Sequence, residues 1–205
     1  MQPAEVYAWL TAIPNMGCDG FDAHISASIL ALALWEAETG RLRPTDTIGL
    51  DGAALCELSK DLFPHAASVF ARWQDETASP PSEDEACLRD LLRRGTTHGS
   101  AFQNRLADMI ARRCLRPNHL WQDLGLRNRQ ELGWLLMRHF EPLAELNRSD
   151  MKWKKFFYRT ICRDEGYTLC AAPSCAECDD FDNCFGEEGG ESLLAQARRQ
   201  AELRC

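Results

Sequence analysis

No stretch of the sequence alternates polar and apolar residues with period two, which excludes a half-buried sheet. No apolar run is long enough to cross a bilayer, because the longest, from Ile25 to Trp35, is broken by Ser26 and Ser28. Lysine is scarce: it supplies four of the 23 basic side chains, and three of those sit at 152, 154 and 155. The formal net charge is -8, so the electrostatic footprint of a nucleic-acid binder is missing. Also missing are a basic leader with a cleavage site, a phosphate-binding glycine loop, a G-x-S-x-G elbow and an H-E-x-x-H pair. No catalytic constellation remains, and the expectation is a protein that is not an enzyme. Cysteine is not scarce. Ten thiols without a secretory leader imply a reducing compartment, hence the cytoplasm.

What is present reads as helix throughout. Pro3 opens a short helix with Val6, Trp9, Leu10 and Ile13 on one side. Phe21 to Thr39 is apolar around its whole circumference, which predicts a central buried helix ended by Gly40. Asp51 is read as the cap of a helix stopped by Pro64, followed by a short one from His65 to Gln74. The Pro-rich stretch 77–82 is the best linker. Ser82 with Glu85, and Asn128 with Glu131, read as capping boxes. Gly99 and Ser100 start another helix, and Asn118 caps a brief turn at His119–Leu124. Ser149 or Asp150 caps a helix to Arg163 that Gly166 terminates, and a last one runs from about Gly190 to Arg204. The expectation is one all-α domain: a helical body over 1–149, a basic helix plus a cysteine-rich loop over 150–189, and a C-terminal helix over 190–205.

Four thiols lie within fifteen residues, Cys170, Cys175, Cys178 and Cys184, spaced C-x4-C-x2-C-x5-C. Such a group is either oxidised in pairs or held on a metal. Structural zinc usually takes two C-x2-C knuckles separated by a dozen residues or more. One C-x2-C flanked closely by single cysteines instead suits a loop wrapped round an iron–sulfur cluster. Spacing favours iron–sulfur, with zinc and disulfides left open. On the preceding helix, Trp153, Phe156, Phe157 and Ile161 form an apolar face, while Lys152, Lys155, Arg159 and Arg163 recur along the other. Between Arg163 and Arg198 there are nine acidic residues and no basic one, so this stripe is a candidate for charge compensation or for meeting an anion. Cys162 is close enough in sequence to be a further contact. Cys56, Cys87 and Cys114 read as buried small hydrophobes.

The run Met151-Lys-Trp-Lys-Lys-Phe-Phe-Tyr-Arg159, then Cys162-Arg-Asp-Glu-Gly166, the four cysteines and Cys184-Phe-Gly-Glu-Glu-Gly-Gly-Glu-Ser-Leu-Leu-Ala195 resembles the NifQ family. The likeness extends upstream to Phe21-Asp-Ala-His24 and His119-Leu-Trp-Gln-Asp-Leu-Gly-Leu126. It implies a carrier whose four loop cysteines hold a molybdenum-containing iron–sulfur cluster of cubane type, with a 4Fe-4S or 3Fe-4S precursor. It further implies delivery of molybdenum for the nitrogenase iron–molybdenum cofactor, with the cofactor-assembly scaffold and dinitrogenase reductase as recipients and molybdate or another molybdenum source as supply. No nucleic-acid or membrane partner is expected. The alternative is an interaction module with a structural zinc or a simple 4Fe-4S site. His24 and His119 lie in the family-like segments and are candidate additional ligands, with Asp22 or Asp123 to orient them.

Overall fold

The first helix, α1 (Pro3–Thr11), leads through the stretch carrying Cys18 into α2 (Gly20–Gly40). The computed structural model describes residues 1–166 and 181–202, and among them every regular element is a helix. Asp19 starts α2 by accepting the amides of Phe21 and Asp22 at 2.8 and 3.2 Å. That satisfies two donors with no partner inside the helix. Every residue from Ile25 to Ala33 is buried, so α2 is enclosed on all sides. Small residues in this run let neighbouring backbone come close. Gly125 (φ 74) is the clearest case, since a Cβ there would lie 2.9 Å from the Ser28 carbonyl oxygen. The end of α2 differs from the sequence reading. Gly40 stays helical, Arg41 takes the left-handed conformation at φ 51, and the Leu42 amide closes back on Ala37 at 2.9 Å.

After α2 come α3 (Pro44–Ile48) and α4 (Gly52–Leu62). The stretch 64–73 is two 3-10 turns flanking α5 (Ala67–Phe70) rather than one continuous helix. Asp51 occupies the cap position of α4 without capping it; its carboxylate accepts the Ala78 amide at 2.7 Å. Arg43 donates to the Thr77 carbonyl at 3.0 Å and to Ser79 Oγ at 2.9 Å, while Asp46 accepts the Ser79 amide at 2.7 Å. The stretch read as a linker is therefore strapped down along 77–79.

Next, α6 (Glu83–Arg94) packs on α7 (Ala101–Cys114). Ser82 caps α6 through the Glu85 amide at 3.3 Å, but Glu85 does not return the bond. Its carboxylate, 1% exposed, binds Arg89 at 2.7 Å and Arg112 at 3.1 Å, so a buried charge joins the two helices instead. The chain continues through α8 (Leu120–Asp123), whose cap is His119 rather than Asn118, then α9 (Arg129–His139) and α10 (Glu141–Leu146). The basic helix, α11 (Trp153–Asp164), starts later than Ser149 or Asp150. Asp150 is left-handed at φ 52 and cannot begin it. A short α12 (Phe181–Phe185) precedes α13 (Leu193–Glu202), which packs on α1 and α2 and buries Leu194. One buried apolar cluster takes in residues from Val6 to Leu194.

Candidate metal centre

The site is assembled on α11. Trp153, Phe156 and Phe157 bury its apolar face, with ring centroids 5.7 to 5.9 Å apart. That orientation turns Lys155, Arg159 and Arg163 outward as exposed side chains. Lys154, which the basic stripe omits, is mostly buried. Its ammonium donates to Asp123 Oδ2 at 2.6 Å and to the carbonyls of Arg116 and Asn118 at 2.5 and 2.7 Å. Since Asp123 is only 3% exposed, this pair pins α11 to α8.

The start of α11 also holds α12. The Lys152 amide donates to the Cys184 carbonyl at 2.8 Å, and its ammonium to the Asp182 carbonyl at 2.7 Å. Gly166, at φ 80, leaves the opposite end of the helix. For 12 helical residues at ~1.5 Å each, the two flanks of the cysteine segment meet α11 about 18 Å apart. Cys184 is half-buried and free, as is Cys162 on α11. Cys170, Cys175 and Cys178, together with Cys205, lie outside the described residues. Among the described residues, no three His, Cys, Asp or Glu side chains converge as a metal site.

Beyond Cys184 the chain is clamped a second time. Glu188, with its side chain 5% exposed, receives Arg129 at 3.0 Å and lies 3.3 Å from His119 Nδ1. Arg129 also donates to the carbonyl and carboxylate of Asp150, both at 2.8 Å, and to the Met151 carbonyl at 3.1 Å. One guanidinium thus ties the chain just before α11 to the chain just after Cys184. Burial works against its charge, but Asp150 and Glu188 outweigh that and raise its pKa. Gln122 adds a bond to the Gly189 carbonyl at 3.3 Å. Sequence reasoning missed both Arg129 and Glu188. The carboxylate sits in an acidic run that reads as solvated, and only contact across the fold distinguishes it.

The two candidate histidines have different surroundings. His24 Nε2 lies 2.8 Å from Glu131 Oε1, and its Nδ1 lies 2.8 Å from the Tyr7 hydroxyl. A carboxylate only accepts, so Nε2 carries a proton, and in the neutral ring Nδ1 accepts from the Tyr7 hydroxyl. Both nitrogens are taken, and a metal would have to displace one of these bonds. His119 is partly exposed and touches the chain four residues past Cys184. The carboxylates expected to orient these rings do other work. Asp22 accepts from His139 Nε2 at 3.0 Å, and Asp123 from Lys154 and Asn118.

Burial raises the thiol pKa of Cys114 to about 12 and also raises that of Cys56, as expected of small core residues. Cys87 departs from that reading. It is only partly buried, and its thiol lies 3.8 Å from Glu165.

These features define a class, a protein whose every regular element among the described residues is a helix and in which the described stretches on either side of the cysteine run are tied to the body. The NifQ family profile matches residues 26–186, which include α11 and all four cysteines of the C-x4-C-x2-C-x5-C run, of which Cys184 lies in α12 and not in a loop, and the chain belongs to that family. The NifQ homolog of Sinorhizobium fredii (strain NBRC 101917 / NGR234) is 41% identical over 172 residues, 84% of this chain and 75% of that protein. Protein NifQ of Azotobacter vinelandii is 38% identical over 69% of this chain and 78% of its own length. Protein NifQ of Rhodobacter capsulatus is 36% identical over 78% of this chain and 87% of its own length. No solved structure matches the chain significantly.

Proposed function

We propose that this chain, which its family ties to nitrogen fixation, carries molybdenum within an iron–sulfur unit and hands it on for the nitrogenase iron–molybdenum cofactor. The observation that carries the reading is the set Cys170, Cys175, Cys178 and Cys184, inside the span matched by the family, with Cys184 fixed at the foot of α11. Four soft thiolates in fifteen residues suit iron–sulfur ligation better than the widely separated knuckles of structural zinc. The cluster is cargo, so the protein acts as carrier and donor rather than as an enzyme. Its recipients are the cofactor-assembly scaffold and dinitrogenase reductase, and its place is the cytoplasm. No described helix is long and apolar enough to cross a membrane.

The residues divide the work. The cysteines supply thiolate to the cargo, while Lys152, Arg129 and Glu188 fix the flanks between which those thiols sit. A carrier must also release its load, which favours a molybdenum corner with an exchangeable ligand. His119 is the better placed of the two histidines for that role, because its contact with Glu188 adjoins the cysteine segment. Single Cys→Ser changes at the four positions test the reading. Each should lower or alter iron and sulfide content and the visible spectrum, because a hydroxyl is a poor substitute for thiolate. Parental iron, sulfide and spectrum in all four would overturn it.

A further inference from the structure

We propose that the outward face of α9 docks a second copy of this chain, the two α9 helices lying antiparallel about a twofold axis at Trp134. On one side α9 buries Leu132, Leu135, Leu136 and His139, yet on the other Trp134 is 56% exposed and Met137 52%. Three positions apart, these large apolar side chains are neighbours on the helix surface. A single exposed apolar residue is ordinary, but an adjoining Trp and Met flanked by arginines have the composition of an interface centre. Nothing inside the chain requires a glycine at 133. A Cβ there would meet no atom within 4 Å, and glycine weakens a helix interior relative to alanine. Beside Trp134 it leaves room for a second indole.

Charge selects the occupant. Arg127, just before the Asn128 cap, and Glu141, just past the end of α9, are both exposed, and neither side chain makes an ion pair among the described residues. Each stands seven residues from Trp134. In an antiparallel pair crossing at Trp134, Arg127 of each copy therefore faces Glu141 of the other. A twofold interface requires such self-complementarity, and opposed helix dipoles favour the same direction. Copies with a net charge of -8 repel one another in general, so only a locally matched face can bring them together. The 11 residues of α9 span roughly 16 Å, a small footprint beside the ~800 Å² each partner gives to a standard interface. Association is therefore weak and concentration-dependent. Because Arg129 lies in the first turn of α9, the pairing sets the two Arg129–Glu188 clamps toward opposite ends of the dimer.

The pairing does not depend on the carrier function, so the full chain tests it whether or not it holds metal. Sedimentation equilibrium across a wide concentration range should show monomer passing to dimer and no further, because a twofold contact closes on itself. Trp134→Ser/Met137→Ser should weaken association ~tenfold or more, while Leu42→Ser, an exposed leucine elsewhere, should leave it unchanged. Arg127→Glu and Glu141→Arg should each weaken it ~tenfold or more, since like charges then face each other. Mixed in equal amounts, those two variants should dimerise again, because each supplies the charge the other needs. That recovery also shows that both are folded. A parent monomeric at every concentration overturns the inference, as does a dimer indifferent to the Trp134→Ser/Met137→Ser change at matched helicity. A mixture of the charge variants that associates no more tightly than either alone overturns it too.

Discussion

Around α2, the buried run from Ile25 to Ala33 meets apolar neighbours on every side. Around Cys184 the apolar contact is partial, since Cys184 and Phe185 pack on the edge of that core without being fully buried, and the further ties are single polar bonds from Lys152, and from Arg129, His119 and Gln122 to the residues just beyond it. Apolar burial is non-directional and accumulates with area, at roughly 25 cal/mol per Å². Polar clamps contribute less each, yet they fix direction and distance. The body is thus built for stability and the cysteine end for placement. A carrier needs its thiols positioned without being sealed into a core.

The largest expected effect lies in the body. Leu30→Ala removes a fully buried side chain and should cost about 2–5 kcal/mol in urea unfolding. Metal content per folded molecule should stay parental, and a parallel loss of metal would erase the distinction between the regions. Next comes Lys154→Met, which strands the buried Asp123 carboxylate and should cost ~3 kcal/mol. Because this pair joins α11 to α8, it should lower both stability and metal content. Restoring charge balance with Asp123→Asn should recover part of each.

Arg129→Gln sharpens the contrast from the other side. It should cost about 1.5–3 kcal/mol of global stability, the range of a lost hydrogen bond to a charged group. Metal loading should fall further than that figure suggests, because both flanks of the cysteine segment lose their common tether. Loading that merely tracks stability would mean that the clamp has no positioning role.

Acid provides a smaller and graded effect. Burial alone would raise the pKa of Glu131, but His24 and the Arg127 amide outweigh it and hold the carboxylate below its usual 4.5. A lowered folded pKa means stability that is complete above the unfolded value and lost as pH falls through the folded one. The urea midpoint should therefore hold steady above that value and drop below it. Glu131→Gln should flatten this acid limb, and an unchanged limb would remove the His24–Glu131 pair as its source.

Most of the body was legible in the sequence because long helices show their period and their caps. The enclosed α2, the Ser100 cap of α7 and the Asn128 cap of α9 are where pattern places them. The five-residue α3 and α12 are too short to display periodicity. Asp51 and Glu85 went astray for a shared reason: each has the chemistry of a local cap, but a distant partner competes for its carboxylate. The same blindness hid the clamp. Nothing local in Arg129, Lys154 or Glu188 shows that they meet across the fold, whereas the four cysteines announce themselves by spacing alone.

The gentlest probe is thiol labelling of the folded chain stripped of metal. Cys56 and Cys114, buried and with raised pKa values, should react last, and Cys162 and Cys184 well before them. The central claim itself is tested most directly by metal analysis of the chain isolated without air from cells supplied with molybdate. The account predicts brown protein in which iron, sulfide and molybdenum co-purify, with His119→Ala lowering the Mo:Fe ratio while the iron–sulfur spectrum survives. Colourless protein holding zinc in place of iron and molybdenum would contradict it.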